Sequence, residues 1–245
     1  MSSSDVCFRD SVTISMMQLS FRKVAVPSPA LVTYEKQLLP DPQATFNRLE
    51  KSIVYASPEE TKLWISGRYI DVPRQMVSFG LNHESIPQYY NTAKPRALEE
   101  QPELLRIKEL VDARVQAQAV ELGLEPPPVS DLVLVNRYAN GKHHIGWHSD
   151  KQTGHHPVAS VSLGQERDFA FRLIPGTSSS CKAPPTLKMT LESNSLLIMW
   201  PPTNSVLEHR LPPRATSKCS NPRINLTFRF TDRQTVFRKR KRQSQ

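Results

Sequence analysis

The chain of 245 residues is poor in glycine, with 8, and in aromatic residues, at 7%. Glycine-rich repeat architectures and flexible-linker proteins are excluded on that ground. Its three cysteines, Cys7, Cys181 and Cys219, are widely separated and form no CxxC pair. That spacing excludes a disulfide framework and predicts reduced, intracellular thiols. No window approaches the roughly 18 apolar residues of a spanning helix. The N-terminus also lacks a basic segment followed by an apolar run, so neither membrane insertion nor secretion is expected. Acidic residues are in deficit, 23 Asp and Glu against 32 Lys and Arg, giving +9 and a plausible polyanionic partner. Apolar residues at 38% and 21 prolines suggest an ordinary core with many fixed turns.

The length suits one large domain with tails. Residues 1–35 are Ser-rich, weakly periodic and broken by Pro27 and Pro29, and read as a flexible N-terminal arm. Residues 36–232 read as the folded domain. Residues 233–245 hold six basic residues and no acid, so they account for six of the nine excess positive charges. This segment reads as a disordered basic tail suited to nuclear targeting, nucleic-acid tethering or plain solvation.

A short helix is predicted within QLLPDPQATFNRLEKSIVY, then extended segments or a hairpin around Ser66 and Gly67. A longer helix is predicted over Pro102–Leu122, with Leu104, Ile107, Val111 and Val115 as its apolar stripe and Gly123 ending it. The remainder breaks into short strands: LVLVNRY, VASVSL, DFAFRL, TLKMTLE, SLLIMW and RINLTFRF. The fold class is therefore α+β, mainly β: a two-sheet sandwich or jelly roll with the N-terminal helices packed outside.

In LVLVNRY the two-residue period puts Leu132, Leu134, Asn136 and Tyr138 on one face. Two polar groups thus point where the apolar face points, inward. Ten residues on, His148 and Asp150 share one side of an extended segment and can reach the same metal ion. Two histidines and a carboxylate form a facial triad that leaves open positions on Fe(II), and His209, in LEHRLPP just after a strand, is the best third ligand. His144, His155 and His156 are competing candidates, but Ile145 follows His144 where a zinc-protease helix needs Glu. In RINLTFRF, alternation places Arg223, Asn225, Thr227 and Arg229 opposite Ile224, Leu226, Phe228 and Phe230. If the apolar side packs on the core, two arginines face a cavity. Buried arginine requires a partner, and a dianionic dicarboxylate fits.

Together, N-R-Y, H-S-D, a lone downstream His and R-x-N-L-T-F-R resemble the AlkB family of Fe(II)- and 2-oxoglutarate-dependent dioxygenases, closest to its eukaryotic DNA-repair branch. The resemblance covers about residues 60 to 231. It implies a double-stranded β-helix with a substrate lid, which agrees with the strand reading. It makes His148, Asp150 and His209 the iron ligands and puts Asn136, Tyr138, Arg223, Asn225 and Arg229 in the 2-oxoglutarate pocket. It also implies O2 as cosubstrate and hydroxylation of an N-alkyl carbon on a nucleobase, with release of formaldehyde and free base. Val72-Pro73-Arg74 falls in the implied lid, and Arg74, Phe79, His83, Tyr89 and Tyr90 are candidate substrate contacts.

One position departs from the family pattern. Repair members carry Asp or Glu two places beyond the carboxylate ligand, whereas this chain has Gln152, which cannot neutralise a cationic base. The expected partner is alkylated DNA, the substrate of a monomeric enzyme located in the nucleus or otherwise in the cytoplasm. RNA demethylation or another 2-oxoglutarate oxygenation is the alternative within enzymes, and a non-catalytic nucleic-acid-binding protein is the alternative outside them. Trp147 and Trp200 read as packing residues.

Overall fold

The computed structural model describes residues 30–65, 67–81, 94–150, 155–175, 186–215 and 219–230, together with the backbone of residues 15–18. Fourteen strands are present among them. In the N-terminal half these are β1 (Ser15–Gln18), β2 (Leu31–Lys36), β3 (Leu63–Ile65), β4 (Arg68–Ile70), β5 (Gln75–Gly80), β6 (Arg96–Ala97) and β7 (Leu132–Tyr138). The C-terminal half supplies β8 (Ile145–His148), β9 (Val158–Gly164), β10 (Arg167–Leu173), β11 (Thr186–Leu191), β12 (Ser195–Trp200), β13 (Leu207–Leu211) and β14 (Arg223–Arg229). Four helices accompany them: α1 (Pro42–Ser52), α2 (Pro58–Thr61), α3 (Pro102–Glu121) and α4 (Thr203–Val206).

The strands form an eight-stranded sheet in the order β1-β2-β12-β9-β14-β7-β5-β6, a four-stranded sheet in the order β11-β10-β13-β8, and a separate β3-β4 hairpin. Alternating side chains divide the large sheet between two cores. Ile224, Leu226 and Phe228 of β14, with Val133 and Val135 of β7, join Phe46 and Leu49 of α1 and Leu104, Ile107, Val111 and Val115 of α3 in a core beneath the helices. The opposite face meets Phe169, Phe171, Leu187 and Leu207 of the small sheet. The result is three layers, helices over sheet over sheet, with all the polar members of β14 turned into the space between the sheets.

α3 matches its expected span to within a residue. Its end is a Schellman turn: the Leu124 amide donates to Ala119 O, the Gly123 amide donates to Val120 O, and Gly123 sits at φ 68. Six C-terminal strands lie within about a residue of their sequence positions.

Two expectations on element placement need correction. The proposed flexible arm is partly sheet, since Leu31–Lys36 pairs with Ser195–Trp200 along its whole length and the backbone of 15–18 pairs with β2. The period-two signal was hidden because Thr33 and Glu35 face α3 through hydrogen bonds. Thr33 donates to Gln118, and Glu35 accepts from Arg114 and Gln118. His209 lies inside a strand, β13, rather than just after one. That strand is short, and its middle inward residue is a histidine between Leu207 and Leu211, which breaks the apolar pattern.

Phe79 is also displaced from its expected lid role. It is 2% exposed and packs with Val77 in the helix-side core, on the face of the sheet opposite the inter-sheet space. Phe79→Ala should therefore act as a core truncation, lowering the free energy of unfolding by about 3–5 kcal/mol in urea titrations. A loss of substrate affinity without loss of stability would contradict that placement.

Candidate active site

One cavity opens between the sheets. Its walls carry Asn136 and Tyr138 from β7, His148 and Asp150 from β8 and the residues after it, His209 from β13, and Arg223, Asn225, Thr227 and Arg229 from β14. Leu134, Ile145, Val158, Phe169, Met199 and Leu211 supply its apolar lining. Two strands that are adjacent in the large sheet therefore deliver the polar face, through the register Asn225 opposite Asn136 and Arg223 opposite Tyr138. The small sheet delivers the histidines, through the register His209 opposite His148.

The ligand atoms of His148, Asp150 and His209 lie within 4.8 Å of one another, a grouping able to hold one metal ion. The His148 and His209 rings meet edge-on at 4.2 Å between centroids, and Phe169 stacks on His209 at 5.4 Å. His148 Nδ1 lies 2.9 Å from the Gly146 carbonyl. A proton on Nδ1 satisfies that carbonyl and leaves the Nε2 lone pair for a metal. Asp150 divides its two oxygens: Oδ1 accepts from Arg229 Nη2 at 2.6 Å, while Oδ2 is turned to His209 Nε2 at 3.6 Å.

The electrostatics hold these groups in their metal-binding protonation states. Burial pushes the His209 imidazole down to about 3, His148 adding to the effect and Asp150 opposing it. Burial also lowers His148 against the pull of Asp150. For Asp150 burial acts upward, but the Arg229 charge, with help from His209 and His148, outweighs it and keeps the carboxyl below its ordinary value. Both imidazoles are thus neutral and the carboxylate is ionised at neutral pH. No proton has to be expelled before a cation binds.

The other end of the cavity asks for an anion. Arg223 is 2% exposed, and burial pushes it down to about 10. Its Nη2 donates to Ser162 Oγ and its guanidinium lies 5.2 Å from the Tyr138 ring centroid, yet Nε and Nη1 have no hydrogen-bond partner among the described residues. Unsatisfied donors on a buried cation carry a desolvation penalty that a carboxylate ligand removes. Asn225 is fixed by Ser160 Oγ and the Val161 carbonyl, and Asn136 accepts from Arg74 Nε at 2.8 Å. The donor set therefore fits both iron and a dicarboxylate: two neutral His and one carboxylate for the metal, and arginine with amide groups for the dianion.

All eight residues expected at the metal and cosubstrate sites line this one cavity. Arg74 joins them, buried against Asn136. His83, Tyr89, Tyr90, Gln152 and the basic tail lie outside the described residues. Among the competing histidines, His144 is engaged by its own loop through Lys142 O and by its amide to Pro73 O. His155 and His156 line a separate groove with Pro126, Pro127 and Pro128. Trp200 packs, donating Nε1 to Thr33, and Trp147 lies between the Arg172 and Arg210 guanidiniums on the outer face of the small sheet. Sequence reading missed Arg167, 0% exposed, which bonds to the carbonyls of His143, just before β8, and Pro212, just after β13. The signal available was a lone Arg starting an inward-facing series with Phe169 and Phe171.

His209 generates a pH dependence whose sign follows from its depressed value. Between its ordinary 6.5 and about 3 the unfolded chain binds a proton that the folded protein refuses, so stability is complete above that window and falls with pH inside it. Metal-free protein should lose on the order of 2 kcal/mol between neutral pH and about pH 4.5 in urea unfolding. His209→Gln should flatten that slope. An unchanged slope in the variant would show that His209 is not its source.

The 2OG-Fe(II) oxygenase superfamily profile matches residues 32–229. Mouse DNA oxidative demethylase ALKBH2 is 34% identical over 191 residues, covering 75% of this chain and 72% of the mouse protein. The human ALKBH2 match is 33% identical and covers 66% of that protein, just under two thirds of its length. Human alpha-ketoglutarate-dependent dioxygenase alkB homolog 3 is 36% identical over 102 residues, covering 40% of this chain and 35% of that one. The solved structure of OsALKBH1 superposes with a TM-score of 0.56 at 23% identity, over 81% of this chain and 97% of that one, and so shares the fold. The metal-ready triad and the dicarboxylate-ready arginine face thus lie in a chain that belongs to the 2OG-Fe(II) oxygenase superfamily, among its AlkB-type dioxygenases, enzymes that use Fe(II) and 2-oxoglutarate.

Proposed function

We propose that this dioxygenase removes N-alkyl groups from nucleobases in DNA, acting as a monomeric nuclear repair enzyme. The observation that carries the reading is one cavity that joins the His148, Asp150 and His209 triad to the Arg223 and Arg229 face, in a chain about one third identical to DNA oxidative demethylases. His148 Nε2, Asp150 Oδ2 and His209 Nε2 are assigned to the iron. Arg229 holds the other oxygen of Asp150 and so orients the carboxylate. Arg223, two of whose nitrogens have no hydrogen-bond partner among the described residues, is assigned to one carboxylate of 2-oxoglutarate, and Asn136, Tyr138, Asn225 and Arg229 to the rest of it.

When bound, iron and 2-oxoglutarate supply the oxidising chemistry: O2 is consumed, 2-oxoglutarate leaves as succinate and CO2, and an alkyl carbon on nitrogen gains a hydroxyl. The hydroxylated carbon is a hemiaminal, whose C–N bond breaks to give an aldehyde and the free base. The protein's part is to orient both groups and to keep water away from them, which the lining by Leu134, Val158, Phe169 and Met199 serves. A base stacked in a duplex cannot enter such a cavity, so the substrate is single-stranded or flipped. Arg74 is assigned to the base edge, a role supported by its reach into the cavity beside Asn136. RNA is the second reading. It is raised by Gln152, an amide that disfavours the cationic lesions for which a carboxylate at that position is suited.

Purified protein with Fe(II), ascorbate and 2-oxoglutarate should form succinate, and methylated single-stranded DNA should raise the rate and lose its methyl groups by mass spectrometry. His148→Ala should abolish both effects. Release of methyl groups from RNA alone would sink the DNA reading. Gln152→Glu should raise turnover of cationic methylated bases, and equal turnover would remove Gln152 from the substrate contacts.

A further inference from the structure

The strand that carries His148 is weakly held by its own sheet. Among the described residues β8 lies at the edge and pairs only with β13, and its register shifts between the pairs His148 opposite His209 and Ile145 opposite Leu211. A one-residue slip of a strand turns its inward side chains outward, so something beyond this pairing has to set where β8 begins. The approach to β8 is the irregular segment 139–144, where the carbonyls of Asn140 and His143 turn toward a buried donor.

That donor is Arg167, at the start of β10. Its guanidinium is fully buried and has no carboxylate among its hydrogen-bond partners. Nη1 donates to Asn140 O at 3.3 Å, and Nη2 donates to His143 O at 2.9 Å and to Pro212 O at 2.8 Å. His143 lies two residues before β8, and Pro212 lies one residue beyond β13. The same guanidinium lies 5.8 Å from the ring of Tyr138, the last residue of β7. One planar group therefore touches the exits of β7 and β13 and the entrance to β8, the three strands that bring Tyr138, His209 and His148 to the cavity. The packing around it is tight. The Gly141 amide donates to Cys219 O, the Arg214 amide donates to Gly141 O, and a Cβ on Gly141 would fall 2.5 Å from the Arg214 carbonyl. Arg214 is in turn paired with Asp168, next to Arg167, at 2.6 Å.

We infer that Arg167 is a positioning residue for the active site: by clamping segment 139–144 against the exit of β13, it sets the register of β8 and hence the meeting of His148 with His209. Its planar fork bonds carbonyls from two chain segments at once, and lysine, a point charge on a flexible stem, cannot reproduce that arrangement. The inference rests on the assignment of the triad to iron and of the arginine face to 2-oxoglutarate.

The test uses the metal-free full chain and equilibrium binding, without turnover. Mn(II) is titrated alone, and N-oxalylglycine, a dicarboxylate mimic of 2-oxoglutarate, is titrated in the presence of Mn(II), both by calorimetry. Arg167→Lys, which keeps the charge, should bind Mn(II) at least about tenfold more weakly while remaining folded by near-UV circular dichroism. Gly141→Ala, which pushes the same segment away and leaves the Arg167 side chain itself unaltered, should weaken Mn(II) in the same direction. Arg167→Gln, which loses the charge as well, should bind no better than Arg167→Lys.

Arg167→Lys within twofold of wild type, with only its melting temperature lowered, would reduce Arg167 to a structural residue and overturn the inference. Preserved affinity in Arg167→Lys with loss in Arg167→Gln would assign the effect to charge and overturn it equally. Should the variants not fold, hydrogen exchange on the wild type decides: Mn(II) should slow exchange of the amides of 140–144, and no change there would refute the coupling. Failure of wild type itself to bind Mn(II), with His209→Ala no different, would instead refute the underlying metal assignment.

Discussion

Among the described residues, the space between the two sheets brings three arginines, Arg74, Arg223 and Arg229, together with a single carboxylate. Arg223 and Arg229 are almost fully buried there, with Arg74 beside them, and Asp150 is the one carboxylate among the described residues lining the cavity. A low-dielectric interior penalises such an excess unless partners of the opposite sign are present. Asp150 answers Arg229 at 2.6 Å, and the backbone and hydroxyls take part of the remainder. What is left over is a standing demand for a small dianion. The same burial that creates this demand strips protons from His148 and His209, so one constraint prepares the cavity for both a cation and an anion.

That charge is tolerable because the large sheet separates it from the hydrophobic core. Every residue of β14 faces one of two environments: Ile224, Leu226 and Phe228 contact the helix layer, while Arg223, Asn225, Thr227 and Arg229 face the cavity. β14 lies between β9 and β7, paired to both for its whole length. The anion face is therefore built on a strand held along both of its edges. The histidine face is built differently. β8 is an edge strand, and its position depends on a buried guanidinium and a tightly packed glycine outside the sheet.

Much of this was legible in the order of residues. A period of two in LVLVNRY and RINLTFRF is enough to predict which side chains share a face, and polar groups on an otherwise inward face are informative because their burial is costly. The helix α3 was legible for the same kind of reason, an apolar stripe ended by Gly123. The strand LVTYEK was not, because Thr33 and Glu35 are buried by specific hydrogen bonds to α3, and no local pattern encodes a partner about 80 residues away. Phe79 was misplaced because an aromatic residue near a lid motif and an aromatic residue in a core look alike in sequence.

Alternation and motif spacing alone determined the fold class, the shared side of His148 and Asp150, and the faces of β7 and β14, since each follows from backbone geometry over a few residues. Tertiary structure decided everything that depends on a second chain segment. It set the His209 register against His148, turned one Asp150 oxygen to Arg229 and the other to His209, left two Arg223 nitrogens without hydrogen-bond partners among the described residues, and clamped three strand ends with Arg167. The physical reason is range: side-chain direction is fixed by neighbouring peptides, whereas desolvation and hydrogen-bond satisfaction are settled only when distant strands close around the same space.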